Sequence, residues 1–377
     1  MTAADAAARY LESFGAGVGY LDFARVGPLS RQVIAARSQA AEQFLDPSSA
    51  VIDESMAAAP ASLAACATIG GWPESNLVYS PNTSTGLFQL AFALQRTAQR
   101  DQVLVSDEDF PSNTYPWARA AAAGRLEPVW LPSRGRVTPE LVAAALTDRV
   151  AAVAVSAVDF RSGHRADLSG IREVIGDRWL VVDGIQGFGA VPADWTAADA
   201  VVAGGQKWLR SGWGTGFVAV SDRLAEQWNP LLAGWTGVTD VTRYDGSLHP
   251  MLTGAAGLSI TNHSPIDQAG FVAGLHLVQS VGVDWISARI GELAGRLATD
   301  LTALGAVVIG DPGGPAGSGI VPFQLPGQDP AALHQRLRSA GISSTFHGDR
   351  IRLSVHATTT QESIAMLLDA LAVRKAA

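Results

Sequence analysis

The chain carries one cysteine in 377 residues, Cys66. No intramolecular disulfide can form, and a cysteine-rich zinc site is excluded. Positive charge is also scarce. With 27 basic against 35 acidic residues the net charge is -8, so the basic footprint of a nucleic-acid binder is missing. Small anions remain possible ligands, because a site needs only local positive charge. No stretch reaches the roughly 18 consecutive apolar residues of a membrane span. The opening Met1-Thr-Ala-Ala-Asp-Ala lacks the basic-then-apolar order of a signal peptide. The expectation is a soluble, cytoplasmic protein without a metal site and without a membrane or nucleic-acid partner. What the chain does have is apolar residues, 47% against 16% charged, enough for a large core.

Short apolar runs alternate with Ala/Leu-rich stretches of helical character. Strands are expected at 77–80, 102–106, 126–131, 150–158, 179–182, 200–203 and 216–220, and helices at 85–95, 116–123, 139–145 and 167–175. The strands are almost continuously apolar, the mark of a parallel sheet covered on both faces. Their alternation with helices predicts a doubly wound α/β domain. Past Gly254 the pattern changes to helices at 266–281, 285–304, 330–340 and 361–373, with strands at 306–309, 319–325 and 351–355. This predicts a large domain over 1–254 and a smaller α+β domain over 255–377. The tract Gly310-Asp-Pro-Gly-Gly-Pro-Ala-Gly-Ser-Gly319 lacks the Lys-Ser/Thr ending of a phosphate loop and reads as a surface turn.

Ligands of open parallel sheets bind beyond the carboxyl ends of the strands, and polar residues fall at that end of five expected strands. Thr83 and Ser84 follow the first, Asp109 and Phe110 the second, and Asp159 the fourth; Asp183 and Gln186 follow the fifth, Gln206 and Lys207 the sixth. Asp183 closes the run Trp179-Leu-Val-Val-Asp183, and Lys207 follows Ala200-Val-Val-Ala-Gly-Gly-Gln206. Pyridoxal phosphate gives such a pair a reason: a lysine forms an imine with its aldehyde, and a carboxylate pairs with its pyridinium nitrogen. Pro81-Asn-Thr-Ser-Thr-Gly86 opens a helix with small hydroxyl residues, as suits a phosphate monoester. Taken alone, that turn is better explained by ordinary N-capping; beside Asp183 and Lys207 the phosphate reading prevails. A helix cap at Asp183 and a solvated side chain at Lys207 are the plainer readings of those two residues.

Val182-Asp-Gly-Ile-Gln-Gly-Phe-Gly189 and Gly204-Gly-Gln-Lys-Trp-Leu-Arg-Ser-Gly-Trp-Gly-Thr-Gly-Phe217 resemble the Asp-x-x-His/Gln and Gly-His/Gln-Lys pattern of class V aminotransferase-type enzymes. This fold-type I pyridoxal-phosphate group includes cysteine desulfurases, kynureninase, isopenicillin N epimerase-like proteins and cysteine S-conjugate C–S lyases. The similarity runs from Tyr20-Leu-Asp-Phe-Ala-Arg-Val-Gly-Pro28 to Arg352-Leu-Ser-Val-His-Ala-Thr-Thr-Thr360. It implies a seven-stranded, mainly parallel sheet, a homodimer with shared active sites and an amino-acid substrate. By position, Lys207 would be the imine lysine, Asp183 the pyridinium partner and Gln186 a neighbour of the phenolic oxygen. Thr83, Ser84 and Gln206 would hold the phosphate, and Phe110 would stack on the ring. Arg352 would bind the substrate α-carboxylate as a bidentate fork; the bland alternative is a surface salt bridge. Asn262 and His263 stand where a partner-subunit loop completes the phosphate site, although Asn262-His-Ser264 departs from the usual Gly-Thr-Pro.

The resemblance implies a Cα carbanion formed after Lys207 takes the Cα proton. Cysteine desulfurases need a nucleophilic cysteine on a long loop before the carboxylate arginine, and the short stretch from Gly341 to Arg352 has none. They also have a stacking histidine where this chain has Phe110. β-Elimination of a cysteine S-conjugate needs no such nucleophile and comes first; transamination, epimerisation and decarboxylation remain alternatives, with a non-enzymatic binder behind them. Arg25 stands where relatives have small residues, and would bind a second anionic part of the substrate or form a structural ion pair. Trp72, Tyr115, Trp213, Trp235 and His347 are candidates to line the side-chain pocket.

Overall fold

The computed structural model describes residues 2–56 and 59–372. Seven strands form the large sheet: β1 (Leu77–Tyr79), β2 (Gln102–Ser106), β3 (Glu127–Leu131), β4 (Val150–Ser156), β5 (Trp179–Asp183), β6 (Ala200–Gly204) and β7 (Gly216–Val220). Their order is β1-β7-β6-β5-β4-β2-β3, parallel from β6 to β3, with β7 antiparallel to both its neighbours. Period-2 alternation divides the central strands between two cores. Val153, Val155, Leu180, Val182, Val201 and Ala203 face one, while Ala152, Ala154, Val181, Ala200 and Val202 face the other. Both faces being covered, these strands read as unbroken apolar runs in the sequence.

The chain leaves β2 for β3 on one side and returns to β4 on the other. The crevice between β2 and β4 is therefore a topological switch point, where such sheets bind ligands. The second sheet contains β8 (Val307–Val308), β9 (Ile320–Gln324), β10 (Thr345–His347) and β11 (Arg350–Ser354), in the antiparallel order β10-β11-β9-β8. The helices Pro265–Val281 and Val283–Ala303 meet at Gly282 with a 79° bend, and among the described residues no single helix is long and apolar enough to cross a membrane. Apolar packing changes partner within the second of them: Ile286 and Ile290 face the large core, and Leu293, Leu297 and Leu301 the small one. The helix Pro265–Val281, which lies past residue 254, packs on Arg31–Glu42 and Ala59–Gly70 beside the large sheet.

Several elements differ from the sequence expectation. The helix expected from residue 116 is Pro111–Ala122. Pro111 takes the first helical position, where a missing N–H loses no partner, and Pro116 lies inside the helix. The helix expected at 85–95 starts at Thr83, with Asn82 as its cap, and that expected at 167–175 uses Asp167 as a cap rather than a first residue. Four helices before β1 and the three-residue β10 are additional to the expectation. Val373, the expected end of the last helix, lies outside the described residues.

The N-terminal arm ties the two sheets together. Tyr20 and Asp22 make parallel bridges to Ser343 and Ser354, and the Ala24 N–H donates to Ser354 Oγ at 2.8 Å. Gly27 N–H then donates to the Gln206 carbonyl at 2.8 Å, one residue before Lys207. A Cβ on Gly27 would stand 1.9 Å from the Lys207 carbonyl oxygen, with backbone on both sides of the clash. Gly27→Ala is therefore expected to destabilise the fold by about 1–3 kcal/mol. A urea unfolding midpoint equal to wild type would show that the arm does not clamp this loop.

Candidate active site

Strand ends β2, β4, β5 and β6 deliver the polar side chains to one edge. Asp183, the last residue of β5, is 2% exposed. Its Oδ1 accepts the Ile185 N–H at 2.9 Å, and no donor among the described residues reaches Oδ2. Lys207 follows β6, is 9% exposed, and makes no hydrogen bond or ion pair among the described residues. Burial raises the Asp183 pKa and lowers that of Lys207, and each charge only partly offsets the other's loss of water. Asp109 adds to the rise at Asp183. That carboxylate is buried after β2, where it accepts from Ser156 Oγ at 2.7 Å, Asn113 Nδ2 at 2.8 Å and the Phe110 N–H at 2.7 Å.

The Phe110 ring lies 5.3 Å from Lys207 Nζ and stays 42% exposed, with Phe160 edge-on at 5.2 Å. One face of a large apolar ring is thus open toward the lysine. Two helices begin at the same place: Thr83–Ala93 and Pro111–Ala122, whose Ser84 and Ser112 hydroxyls meet at 2.7 Å. Asn82 caps the first helix through Thr85, so the Thr83 and Ser84 N–H groups have no acceptor among the described residues. Thr83 Oγ1 accepts the Gly204 N–H at 3.0 Å. The Gln206 side chain lies against Gly204, and its amide has no partner among the described residues. A helix N-terminus with free N–H groups, hydroxyls and an amide beside it is suited to a phosphate.

The lysine loop is held from several sides. Gly205 N–H donates to the Thr215 carbonyl, Ser211 N–H to the Gly205 carbonyl, and Thr215 Oγ1 to the Gly212 carbonyl. Arg210, buried and in a left-handed conformation at φ 54, lies 3.6 Å from the Phe14 ring centroid and donates to the Pro28 carbonyl and Thr358 Oγ1. Burial lowers its pKa to about 10. Gln186 is occupied differently from the expectation: Nε2 donates to the Ala24 carbonyl at 2.9 Å, and Oε1 accepts from Trp208 Nε1 at 2.8 Å. It braces the arm against the lysine loop.

Arg352 is not a surface salt bridge. It is 4% exposed, pairs with the equally buried Asp22 at 3.2 Å, and donates to Thr345 Oγ1 at 3.1 Å and the Phe160 carbonyl at 2.9 Å. Its Nε is buried without an acceptor among the described residues. Arg25 is exposed and makes no ion pair among them, so the structural-pair reading of it finds no partner. His263 packs its ring 4.0 Å from that of Tyr79, and burial takes its pKa down to about 4; Asn262 beside it is exposed. Trp72 belongs to the core, stacked on Phe188, whereas Tyr115, Trp213 and Trp235 are exposed and His347 lies edge-on to Phe160. The sequence reading placed Asp109, Ser112 and Phe160 after strands without a specific role, and gave Asp22 none. Asp109 was legible as the neighbour of Phe110; the rest depend on contacts across long sequence separations.

The family model for class-V aminotransferases matches residues 52–366. The chain belongs to that family. It is 30% identical to a kynureninase of Yarrowia lipolytica over 226 residues, 55% of this chain and 51% of that protein, so it spans about half the length of that relative. It is 26% identical over 320 residues to a probable cysteine desulfurase of Methanothermobacter thermautotrophicus, covering 77% of each chain. In fold it is similar to the cystine C–S lyase C-DES, solved with its product cysteine persulfide: TM-score 0.85 at 21% identity, over 94% of this chain and 97% of that one. Membership makes this a pyridoxal-phosphate enzyme. The site fits the group. Lys207 supplies an unpaired amine, Asp183 Oδ2 a free acceptor, Phe110 an open ring face, and Thr83, Ser84 and Gln206 a place for phosphate.

The two shifted groups give the cofactor-free protein a pH dependence of definite sign. Folded Asp183 keeps its proton to higher pH than its unfolded value of 3.8, so stability falls as pH rises from there through the raised pKa. Folded Lys207 releases its proton early, so stability recovers as pH rises from the lowered pKa toward 10.5. Melting temperatures of cofactor-stripped protein should thus pass through a minimum near neutrality. Asp183→Asn should remove the acid-side fall, and Lys207→Met the alkaline recovery. Profiles of unchanged shape in both variants would contradict the burial of these charges.

Proposed function

We propose that this chain is a C–S β-lyase that cleaves a cysteine S-conjugate to a thiol, pyruvate and ammonia. The observation that carries the reading is a cleft with one unpaired base, Lys207, and no second nucleophile among the described residues. Cys66 is fully buried in the large core, and burial drives its thiol pKa well up. The hydroxyls nearest the cleft, Ser84, Ser112 and Ser156, are bonded to one another or to Asp109. β10 and β11 are joined by the tight turn Gly348-Asp349, with no room for a long loop between them.

Pyridoxal phosphate, when bound, withdraws electrons from the substrate Cα and so acidifies its C–H bond. The protein supplies position and proton transfer. Thr83, Ser84 and Gln206 would hold the phosphate, Asp183 Oδ2 would accept the pyridinium N–H, and Phe110 would stack on the ring. Arg352, locked by Asp22, Thr345 and the Phe160 carbonyl, orients the α-carboxylate. Lys207 Nζ takes the Cα proton, and burial lowers its pKa to about 8, closer to neutral pH than an exposed lysine's. The electron pair left at Cα becomes the Cα–Cβ double bond as the Cβ–S bond breaks with both electrons going to sulfur. Lys207 returns a proton to the departing thiolate, and water completes the release of pyruvate and ammonia.

A homodimer is part of the proposal. Leu231, Trp235, Tyr244 and Leu248 leave apolar surface open in one stretch, with Tyr244 92% and Leu248 98% exposed. A second copy of the chain is the occupant we infer for it, bringing Asn262 and His263 toward the neighbouring phosphate site.

Purified holoprotein given an S-alkyl cysteine should release equimolar pyruvate and thiol with no keto acid added. Turnover that strictly requires a keto-acid acceptor would overturn elimination in favour of transamination. In sedimentation velocity the protein should run as a dimer, and Leu248→Glu should shift it toward monomer. A monomeric wild type at micromolar concentration would refute the dimer.

A further inference from the structure

A cavity of about 760 Å³ opens where the N-terminal arm meets the small sheet, lined among others by Asp22, Arg25, Trp213, His334, Arg338 and Ser344. This is the size of a pocket for a drug-sized ligand, well beyond the side chain of cysteine. Its charges are unbalanced. Arg25 comes from the arm and Arg338 from the helix Pro330–Ser339, and neither has a carboxylate partner among the described residues. The one acid in that lining set, Asp22, is already committed to Arg352 and Thr345. His334 is tied through Nδ1 to Ser344 Oγ at 3.1 Å and stacks on Phe346. Trp213 adds an aromatic wall, 67% exposed.

Asp22 also joins this cavity to the catalytic cleft. It bonds Arg352 directly and lies within electrostatic reach of Lys207, Arg25 and His334. A substrate held by its α-carboxylate at Arg352 would have to lead its leaving group past Asp22 to meet the two free guanidinium groups. We propose that this cavity is the leaving-group subsite, and that it takes an S-conjugate whose thiol half ends in an anionic group such as a carboxylate. The inference rests on the lyase reading for the reaction but not for the binding. Arg25 and Arg338 supply the two forks that recognise the distal anion, and Trp213 covers the chain that leads to it.

Two conjugates of similar size separate charge from shape: S-(2-carboxyethyl)-L-cysteine and S-propyl-L-cysteine. In wild type the charged conjugate should have the higher kcat/KM by about tenfold, the size of one good charge-assisted contact, chiefly through KM and less so at high salt. Arg25→Gln with Arg338→Gln should bring the ratio near one, whereas Arg→Lys at both positions should keep most of it because the charge remains. Binding is read separately from reaction. Glutarate, but not butyrate, should raise the melting temperature of wild-type apoprotein, and the double Gln variant should lose that shift. If neither conjugate yields pyruvate, the lyase reading falls and the glutarate shift alone decides the subsite. No shift in wild type, or one of equal size in the double Gln variant, overturns the subsite.

Discussion

Burying Asp183 and Lys207 along one cleft without letting them pair costs free energy that the surrounding structure has to offset. Each group moves toward its neutral form, the cheapest response to burial. Left to relax, the two would pair or turn to solvent. They are kept apart because Asp183 sits on a central strand and Lys207 on a loop that has little freedom. Gly27, Thr215 and Ser211 fix that loop through the backbone, and Arg210 pins it to Phe14, Pro28 and Thr358. Arg210 is itself a buried cation without a carboxylate, held by an aromatic face and by neutral acceptors.

The same economy governs Arg352. Its buried guanidinium is offset by a counter-charge, Asp22, from the far end of the chain, 330 residues away in sequence. This pair is what makes the site depend on the packing of the small sheet against the arm. Thr345 on β10 and Phe160 beyond β4 complete the cradle, so Arg352 touches both sheets and the arm at once. Asp22 thereby borders two neighbouring spaces: it fixes Arg352 and leaves Arg25 without an ion-pair partner among the described residues. Arg25, exposed beside an acid that is already engaged, is left to water or to a ligand.

Much of the large sheet was legible because both of its faces are buried. Strands β2 and β7 fall where the apolar runs place them, and the others shift at one or both ends. Helix starts were less legible. Pro111 and Pro116 are both plausible first residues by local rules, and only packing against β2 and the neighbouring helix chooses Pro111. Of the four helices before β1, Arg31–Glu42 and Ser49–Met56 are weakly amphipathic with few buried residues, and Ala59–Gly70 is apolar on most sides, so no clear stripe marks it. β10 has three residues and no alternation long enough to register; its pairing with β11 creates it.

The sequence by itself determined the family and the cofactor, and it brought forward Asp183, Lys207, Thr83, Ser84 and Phe110 as the residues proposed to meet it, because each follows a strand or opens a helix and such local signals survive without any long-range contact. It also determined that no cysteine stands between Gly341 and Arg352. Tertiary structure alone decided which of these groups are free. Gln186 is spent on Ala24 and Trp208, Arg352 is shared with Asp22, and Lys207 and Arg25 have no partner among the described residues. The reason is physical: a side chain's availability depends on every group that packs around it, and those groups come from segments hundreds of residues apart, whose meeting no local pattern encodes.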